Sequence, residues 1–446
     1  MLLQKPAFLL FYHARAAEAS FGEWLGVLWH GLSLDCTVAG YVTAFPVLVV
    51  LASFWIPLSQ RVWRIVLTVY FSLIALVTAA IFAVDLNLYG YWGFRLDGSV
   101  LIYLSDPGEA LASASWGEVL RQILIMLVYA GAMIWSYRWI LRLFRVEPVP
   151  LRGRVVPTVA ALLIGGLTFL AIRGGVTVAT ANVSKVYFSS NMFLNHAATN
   201  PVFSFLSSVG DNENYAEAYP FFEEERRKTL FEELRGNRPG ADAGTPRLLR
   251  SDRPNVVLIL LESFGRTIMD ETVNGEPVMP NMQRFKREGV WFENFFANSF
   301  RTDRGQVAVL CGFPAQTTMT LIKLPRKSAT LPSLARSLGR EGYRSAFMYG
   351  GDLNFTNQAS FMYSTGWEKL IWQKDMQLDA PTSKWGYADD VVIDAFTDHV
   401  LAEAASQRPF FAAMLTLSSH EPFDVPFAKF DDPMLNAMAF TDACLG

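Results

Sequence analysis

Four apolar stretches, near residues 37–55, 65–84, 123–139 and 155–172, constrain this chain more than any other feature. Each approaches the roughly 20 apolar residues that cross a bilayer as a helix. All four lie before residue 175, and the mean hydropathy of +0.24 comes mostly from them. A multi-span membrane domain is therefore expected over residues 1–175. A shorter apolar run, residues 6–12, is too short to span and reads as the end of another span or an interfacial anchor. Asp35, at the edge of the first stretch, is read as marking the membrane interface. The loops alternate in charge. Arg61 and Arg64 lie in one short loop, and Arg138, Arg142, Arg145, Arg152 and Arg154 cluster around another. Both are cytoplasmic by the positive-inside rule. The loop 85–118 carries Asp97, Asp106 and Glu109 against Arg95 and is external. Residues beyond 172 then emerge outside the cytoplasm, at a bacterial plasma membrane.

The connector, 176–252, comes next. Residues 195–205 read as a helical segment with an apolar face near the membrane surface, and 223–235 as a charged helix with opposite charges at helical spacing. Residues 236–252, rich in Gly, Pro, Ala and Arg, read as a linker. His196 is taken as a packed connector side chain. The net charge of −3 gives no nucleic-acid footprint. Three scattered cysteines, Cys36, Cys311 and Cys444, supply no disulfide framework.

The third part, 253–446, alternates strand and helix, which argues for an α/β domain with a mostly parallel sheet. Its first element, Asn255-Val-Val-Leu-Ile-Leu-Leu-Glu262, reads as a strand buried on both faces and ending in one carboxylate. Further strands are expected at 290–296, 344–349 and 410–417, and helices at 280–288, 331–341, 354–364 and 389–405. In such sheets ligands gather at the carboxyl ends of the strands. Glu262, Thr302, Asp352 and His420 each follow an expected strand or sit in the loop beyond one. A hydroxyl beside a cation held by carboxylate is a plausible nucleophile, because the metal lowers its pKa. Arg301 and Arg304 flank Thr302 and suit an anionic group, with Asn298 a weaker candidate.

These motifs, in this order, resemble the lipoteichoic acid synthase-like proteins, phosphoglycerol transferases of the sulfatase and alkaline phosphatase superfamily. The resemblance rests on Asn255-Val-Val-Leu-Ile-Leu-Leu-Glu-Ser-Phe264, Phe296-Ala-Asn-Ser-Phe-Arg-Thr-Asp-Arg-Gly305, Gly312-Phe-Pro-Ala-Gln316 and Leu417-Ser-Ser-His-Glu-Pro-Phe423. It implies that Glu262 binds metal and that Thr302 is both nucleophile and metal ligand. It implies that His420 contacts the transferred group. The implied metal is manganese, with magnesium or zinc as alternatives. The implied donor is a membrane lipid, and the acceptor an envelope glycan or polymer. Arg301, Arg304, Asp352 and Asn354 are expected to contact substrate. Where the Gram-positive polymerases carry a Trp and an Arg, this chain has Thr356 and Gln358, so substrate choice is expected to differ.

The family completes its metal site with an Asp-His pair after a later strand. Asp398-His399 is the one such dipeptide and falls inside an expected helix, so the chain is expected to be a fragment with half a metal site. Three alternatives remain at this point. Cys311-Gly-Phe-Pro-Ala-Gln316 lacks the register of a sulfatase's formylglycine motif. A phosphoethanolamine transferase would usually bring several disulfides. A non-catalytic membrane module is the reading from another class.

Overall fold

The computed structural model describes all residues except 99, 102–114, 146–149, 151–152, 210–220, 236–248 and 317–318, and leaves aside the side chains of 234 and 235. Asp106, Glu109, Arg152 and most of the expected linker lie outside the described residues.

Among the described residues, four helices are long and apolar enough to cross a membrane. After a short α1 (Gln4–Phe11), these are α2 (Phe21–Ser53), α3 (Gln60–Trp92), α4 (Trp116–Leu143) and α5 (Val155–Arg173). All four sequence expectations hold, and three of the helices extend well beyond the apolar stretches. Local chemistry sets their ends. Ser20 with Glu23, and Ser115 with Glu118, form capping boxes at α2 and α4, and Ser59 caps α3. Gly93 and Gly174 close α3 and α5 at φ of 70° and 85°, where a Cβ would be strained. Helix α3 packs along α4, and α2 along α5. At the second contact Gly40 lets the Ile172 backbone approach, and Thr37 Oγ1 donates to the Ala171 carbonyl at 3.0 Å. The apolar sides of α4 and α5 stay largely uncovered, as suits helices in lipid.

The run at 6–12 packs partly against protein. It is part of α1, whose Phe8 and Leu9 are buried against Leu34, Tyr89 and Leu194. The connector helices α6 (Met192–Ala198) and α7 (Pro201–Ser208) complete this cluster, so the apolar face expected at the membrane surface meets protein instead. Asp35 corrects a further expectation. It does not mark an interface but is 7% exposed inside α2. Lys5 Nζ sits 2.6 Å from its Oδ2, and Asn200 Nδ2 donates to its Oδ1 at 2.8 Å. A second buried pair joins Asp85 to Arg95 at 3.1 Å, and Leu96 N donates to the same carboxylate. A charge inside a bundle survives only when paired and hydrogen-bonded.

The soluble part is built on four parallel strands, β1 (Val256–Leu260), β2 (Arg344–Tyr349), β3 (Lys369–Trp372) and β4 (Phe410–Leu415). Their spatial order is β1-β4-β2-β3. One face buries Phe347, Phe411 and Ala413 against Leu310, Phe361 and Trp367. The other buries Met348 and Met414 against Val392 and Phe396. β4 is central and apolar throughout. Among the described strands β1 lies at the edge, and Val257 and Ile259, expected to be buried, are 47% and 36% exposed. The strand expected at 290–296 is absent; those residues form turns with Phe292, Phe295 and Phe296 exposed. Aromatic residues favour strands only where a partner strand and a covering layer exist, and among the described residues neither reaches this segment. The helix expected at 331–341 forms over Leu334–Arg340, starting later because Ser333 caps it, and a separate short helix, Pro325–Thr330, precedes it.

The two parts are clasped together. Asn357 Oδ1 accepts from Ser184 N at 3.1 Å and Ser184 Oγ at 3.2 Å. Ser184 Oγ accepts from Ser360 N at 2.9 Å, and Asn182 Nδ2 donates to the Asn354 carbonyl at 2.8 Å. His196, between these parts, bonds the Tyr89 hydroxyl at 3.1 Å, and burial, followed by the Arg95 and Arg15 charges, drops its pKa to about 3. The imidazole is thus neutral when folded, while an unfolded one takes a proton below about pH 6.5. Stability is therefore expected to fall as pH drops below about 6.5, by up to about 1.4 kcal/mol per pH unit from this group. Thermal unfolding in detergent at neutral and mildly acidic pH checks this: a His196→Gln variant should lose part of the pH dependence.

Candidate active site

Strand β1 ends at Leu260, and Glu262 stands just past its carboxyl end. Ser263 follows at φ 60°, a left-handed turn that a non-glycine residue adopts only under constraint. Strand pairing supplies that constraint. β1 lies parallel to β4, and beyond their last paired residues Thr416 Oγ1 accepts from Glu262 N at 2.8 Å. Ser419 Oγ donates to the Glu262 carbonyl at 2.6 Å. The backbone of Glu262 is thus held on both sides by hydroxyls from the loop after β4.

Thr302 is the first residue of helix α8 (Thr302–Cys311), with Arg301 at the cap position. Its Oγ1 donates to Glu262 Oε2 at 2.8 Å, and Ser263 Oγ donates to Oε1 at 3.1 Å. The nucleophile and carboxylate expected from sequence therefore meet directly, although 40 residues separate them. Asp303, in the first turn, is buried; Arg301 Nε reaches its Oδ1 at 3.8 Å, and Thr320 Oγ1 donates to its carbonyl at 3.2 Å. Arg304 is partly buried, and its Nε has no hydrogen-bond partner among the described residues.

The remaining candidates are distributed differently. Asp352 Oδ1 accepts from Asn354 N at 2.9 Å, while the Asn354 carbonyl is taken by the connector. Asn298 Oδ1 is taken by Ala315 N. His420 lies with its ring 4.5 Å from the Trp385 ring, and its Nδ1 is 2.8 Å from the Glu421 carbonyl. No hydrogen bond among the described residues joins His420 to Thr302 or Glu262. Asp398-His399 lies inside a helix, Asp389–Ala404, away from the strand ends. Cys311 ends α8, buried, with burial pushing its thiol up to about 12. It is a packed small side chain, inert as a nucleophile at neutral pH.

Two supporting residues escaped the sequence reading. Tyr349, at the end of β2, has its phenol pKa raised by burial and then by the charges of Glu262, Asp389 and Asp352. Asp389 is buried and accepts from Leu417 N at 2.7 Å, Ser418 N at 3.2 Å and Thr441 Oγ1 at 2.7 Å. It pins the loop that carries Ser419 and His420. Its one sequence signal is an acid in the first turn of a helix, which is also an ordinary capping feature.

Among the described residues, no three His, Cys, Asp or Glu side chains come together as a metal site. Glu262 and Thr302 offer two converging oxygens, which fit part of the oxygen-rich shell of a hard divalent cation.

A parallel sheet with helices on both faces, and a carboxylate–hydroxyl pair at its carboxyl edge, thus follow four apolar helices in a membrane-borne α/β protein. Residues 254–445 match the Sulfatase family. Phosphoglycerol transferase I of Xanthomonas axonopodis pv. citri (strain 306) is 30% identical over 215 residues, which cover 44% of this chain and 30% of that protein. Lipoteichoic acid synthase 1 of Bacillus subtilis (strain 168) is 29% identical over 191 residues, 38% of this chain and 27% of that one. Both relatives are enzymes. The chain thus spans about a third or less of the length of these relatives. A solved protein of the alkaline phosphatase superfamily from Vibrio parahaemolyticus aligns at 27% identity and TM-score 0.42, over 44% of this chain and 50% of that one.

The hydroxyl pair behind Glu262 generates a prediction. Thr416→Val leaves the Glu262 N–H without its partner and should cost about 1–3 kcal/mol. Serine or valine at 416, compared by thermal unfolding, separates the lost bond from lost packing: Thr416→Ser should melt close to the parent.

Proposed function

We propose that the chain is the membrane-anchored part of a transferase that moves a phosphoglycerol-type headgroup from a membrane lipid to an envelope glycan or polymer through an intermediate on Thr302. The observation that carries this reading is the 2.8 Å hydrogen bond from Thr302 Oγ1 to Glu262 Oε2 at the head of α8. In the first half-reaction Thr302 Oγ1 forms a bond to the headgroup phosphorus, and the bond from phosphorus to the diacylglycerol oxygen breaks. The Thr302 proton passes to Glu262 Oε2 and from there to the diacylglycerol oxygen, which leaves as an alcohol. In the second, the acceptor hydroxyl displaces Thr302 from phosphorus, and the acceptor's proton passes by way of Glu262 Oε2 to Oγ1. The emerging backbone N–H groups of α8 favour negative charge close to Thr302. Arg301, Arg304 and His420 are assigned to the phosphate and headgroup oxygens, and Asp352 and Asn354 to the glycerol hydroxyls.

A divalent cation, with manganese the first candidate and magnesium or zinc the alternatives, would be held by Glu262 and Thr302. When bound it supplies a lowered hydroxyl pKa and charge neutralisation at phosphate. The division at residues 175 and 252 goes with this reading, as does an extracytoplasmic site at the plasma membrane. The loop arginines support that orientation, since Arg61 and Arg64 lie at one end of the bundle with Arg142. The sulfatase alternative finds less support, because Cys311 sits buried at the far end of α8 with a raised thiol pKa.

Thr302→Ala is expected to abolish headgroup release, measured as diacylglycerol produced from a labelled lipid by the longest natural form of the protein, while leaving its melting temperature within a few degrees. Turnover by that variant would remove Thr302 from the nucleophile role. A reporter fused after Ser251 should give an extracytoplasmic signal, and a cytoplasmic signal would reverse the orientation.

A further inference from the structure

A cavity of about 710 Å³ opens where the soluble domain meets the membrane bundle. It is not the Glu262–Thr302 site, and neither residue lines it. Its walls begin directly at the ends of spans. Phe94, Arg95 and Asp97 follow the Gly93 cap of α3, and residues 180–183 follow α5. The opposite wall comes from the soluble domain, with Lys323, Arg326, Lys327 and Phe355. The cavity therefore sits where lipid headgroups sit, at the ends of transmembrane helices.

Its chemistry is two-sided. Among the described residues, four cations line it, Arg95, Lys323, Arg326 and Lys327, against one carboxylate, Asp97. Arg326 spends part of its charge on Asp97 at 3.3 Å. Lys323 and Lys327 are exposed at the mouth. Arg95 is 5% exposed and pairs with Asp85, yet its Nε and Nη1 have no hydrogen-bond partner among the described residues. A buried guanidinium with unused donors is costly unless an acceptor completes it. Phe94, Phe203 and Phe355 supply apolar wall beside these cations. Ser204, Ser207 and Thr356 add hydroxyls suited to ester and glycerol oxygens. His196, neutral as derived above, adds no further cation.

We propose that this cavity binds the headgroup phosphate and glycerol backbone of an anionic phospholipid, at a site separate from Glu262 and Thr302. The cations match the phosphate, the phenylalanines match the glycerol esters and first methylenes, and the position at the span ends favours a lipid over a soluble phosphate. The site also touches the proposed reaction centre through packing. Phe355 meets the Trp385 ring edge-on at 5.3 Å, and Trp385 packs on His420.

The test uses the full chain in lipid nanodiscs with photoactivatable phosphatidylglycerol or phosphatidylcholine, each carrying a diazirine near the ester. Crosslinks from phosphatidylglycerol should map to peptides 94–97 and 201–208, with far less from phosphatidylcholine. Lys323→Glu/Lys327→Glu should cut this labelling about ten-fold, and Lys228→Glu, on a charged helix that does not line the cavity, should not. If the doubly reversed protein melts early, Lys323→Gln/Lys327→Gln should still reduce the labelling. Thr302→Ala should leave it unchanged, which keeps this site's fate apart from that of the reaction. Equal labelling by the two lipids, labelling only of peptides near Thr302, or full displacement by millimolar inorganic phosphate would overturn the proposal.

Discussion

Everything at the candidate site hangs on the parallel pairing of β1 with β4. That pairing runs residue for residue from Val256 and Phe411 to Leu260 and Leu415. It carries the chain to the point where Thr416 and Ser419 take hold of Glu262. A slip of one residue would turn Glu262 to the opposite face and break both bonds. The buried run of β4 prevents such a slip, because Phe411 and Ala413 belong to one core face and Met414 to the other. The site inherits its geometry from that core. Asp389 does the equivalent for the loop beyond β4, by taking two backbone N–H groups and a hydroxyl on one buried carboxylate.

Much of this was legible in the sequence, for identifiable reasons. The four spans are a matter of length and hydropathy, which no tertiary context overrides in a bilayer. Glu262 and Thr302 were legible because strand ends and helix starts converge at one edge of a parallel sheet. The misreadings share one cause. Val257 and Ile259 look like core residues, and the aromatic run 290–296 looks like a strand, because composition records what a residue could bury and not whether a partner arrives. Asp35 looked like a boundary charge for the converse reason: its partners Lys5 and Asn200 come from distant parts of the chain. Tyr349 and Asp389 carry no local signature, since their roles exist only once β2, β4 and the Asp389–Ala404 helix are assembled.

The bundle follows a complementary logic. Its lipid-facing surfaces need only be apolar, so α4 and α5 carry little specific packing. Its polar content is concentrated at one end, in the Lys5–Asp35–Asn200 and Arg95–Asp85 groups. Each draws a residue from outside the four spans: the first ties α1 and the connector to α2, and the second ties the segment after α3 back onto α3. Buried pairs contribute less to net stability than to uniqueness of arrangement in some systems, and here they fix which segments dock at that end.

The clasp between Ser184 and Asn357 bears on motion. Asn357, Ser360 and Asn354 meet the connector through several short bonds formed within a few residues of one another. A domain held this way is not a tethered head that swings on its linker. Tilting it toward the bilayer would break those bonds together. The distance of Glu262 and Thr302 from the ends of the four apolar helices is therefore a fixed dimension of the molecule.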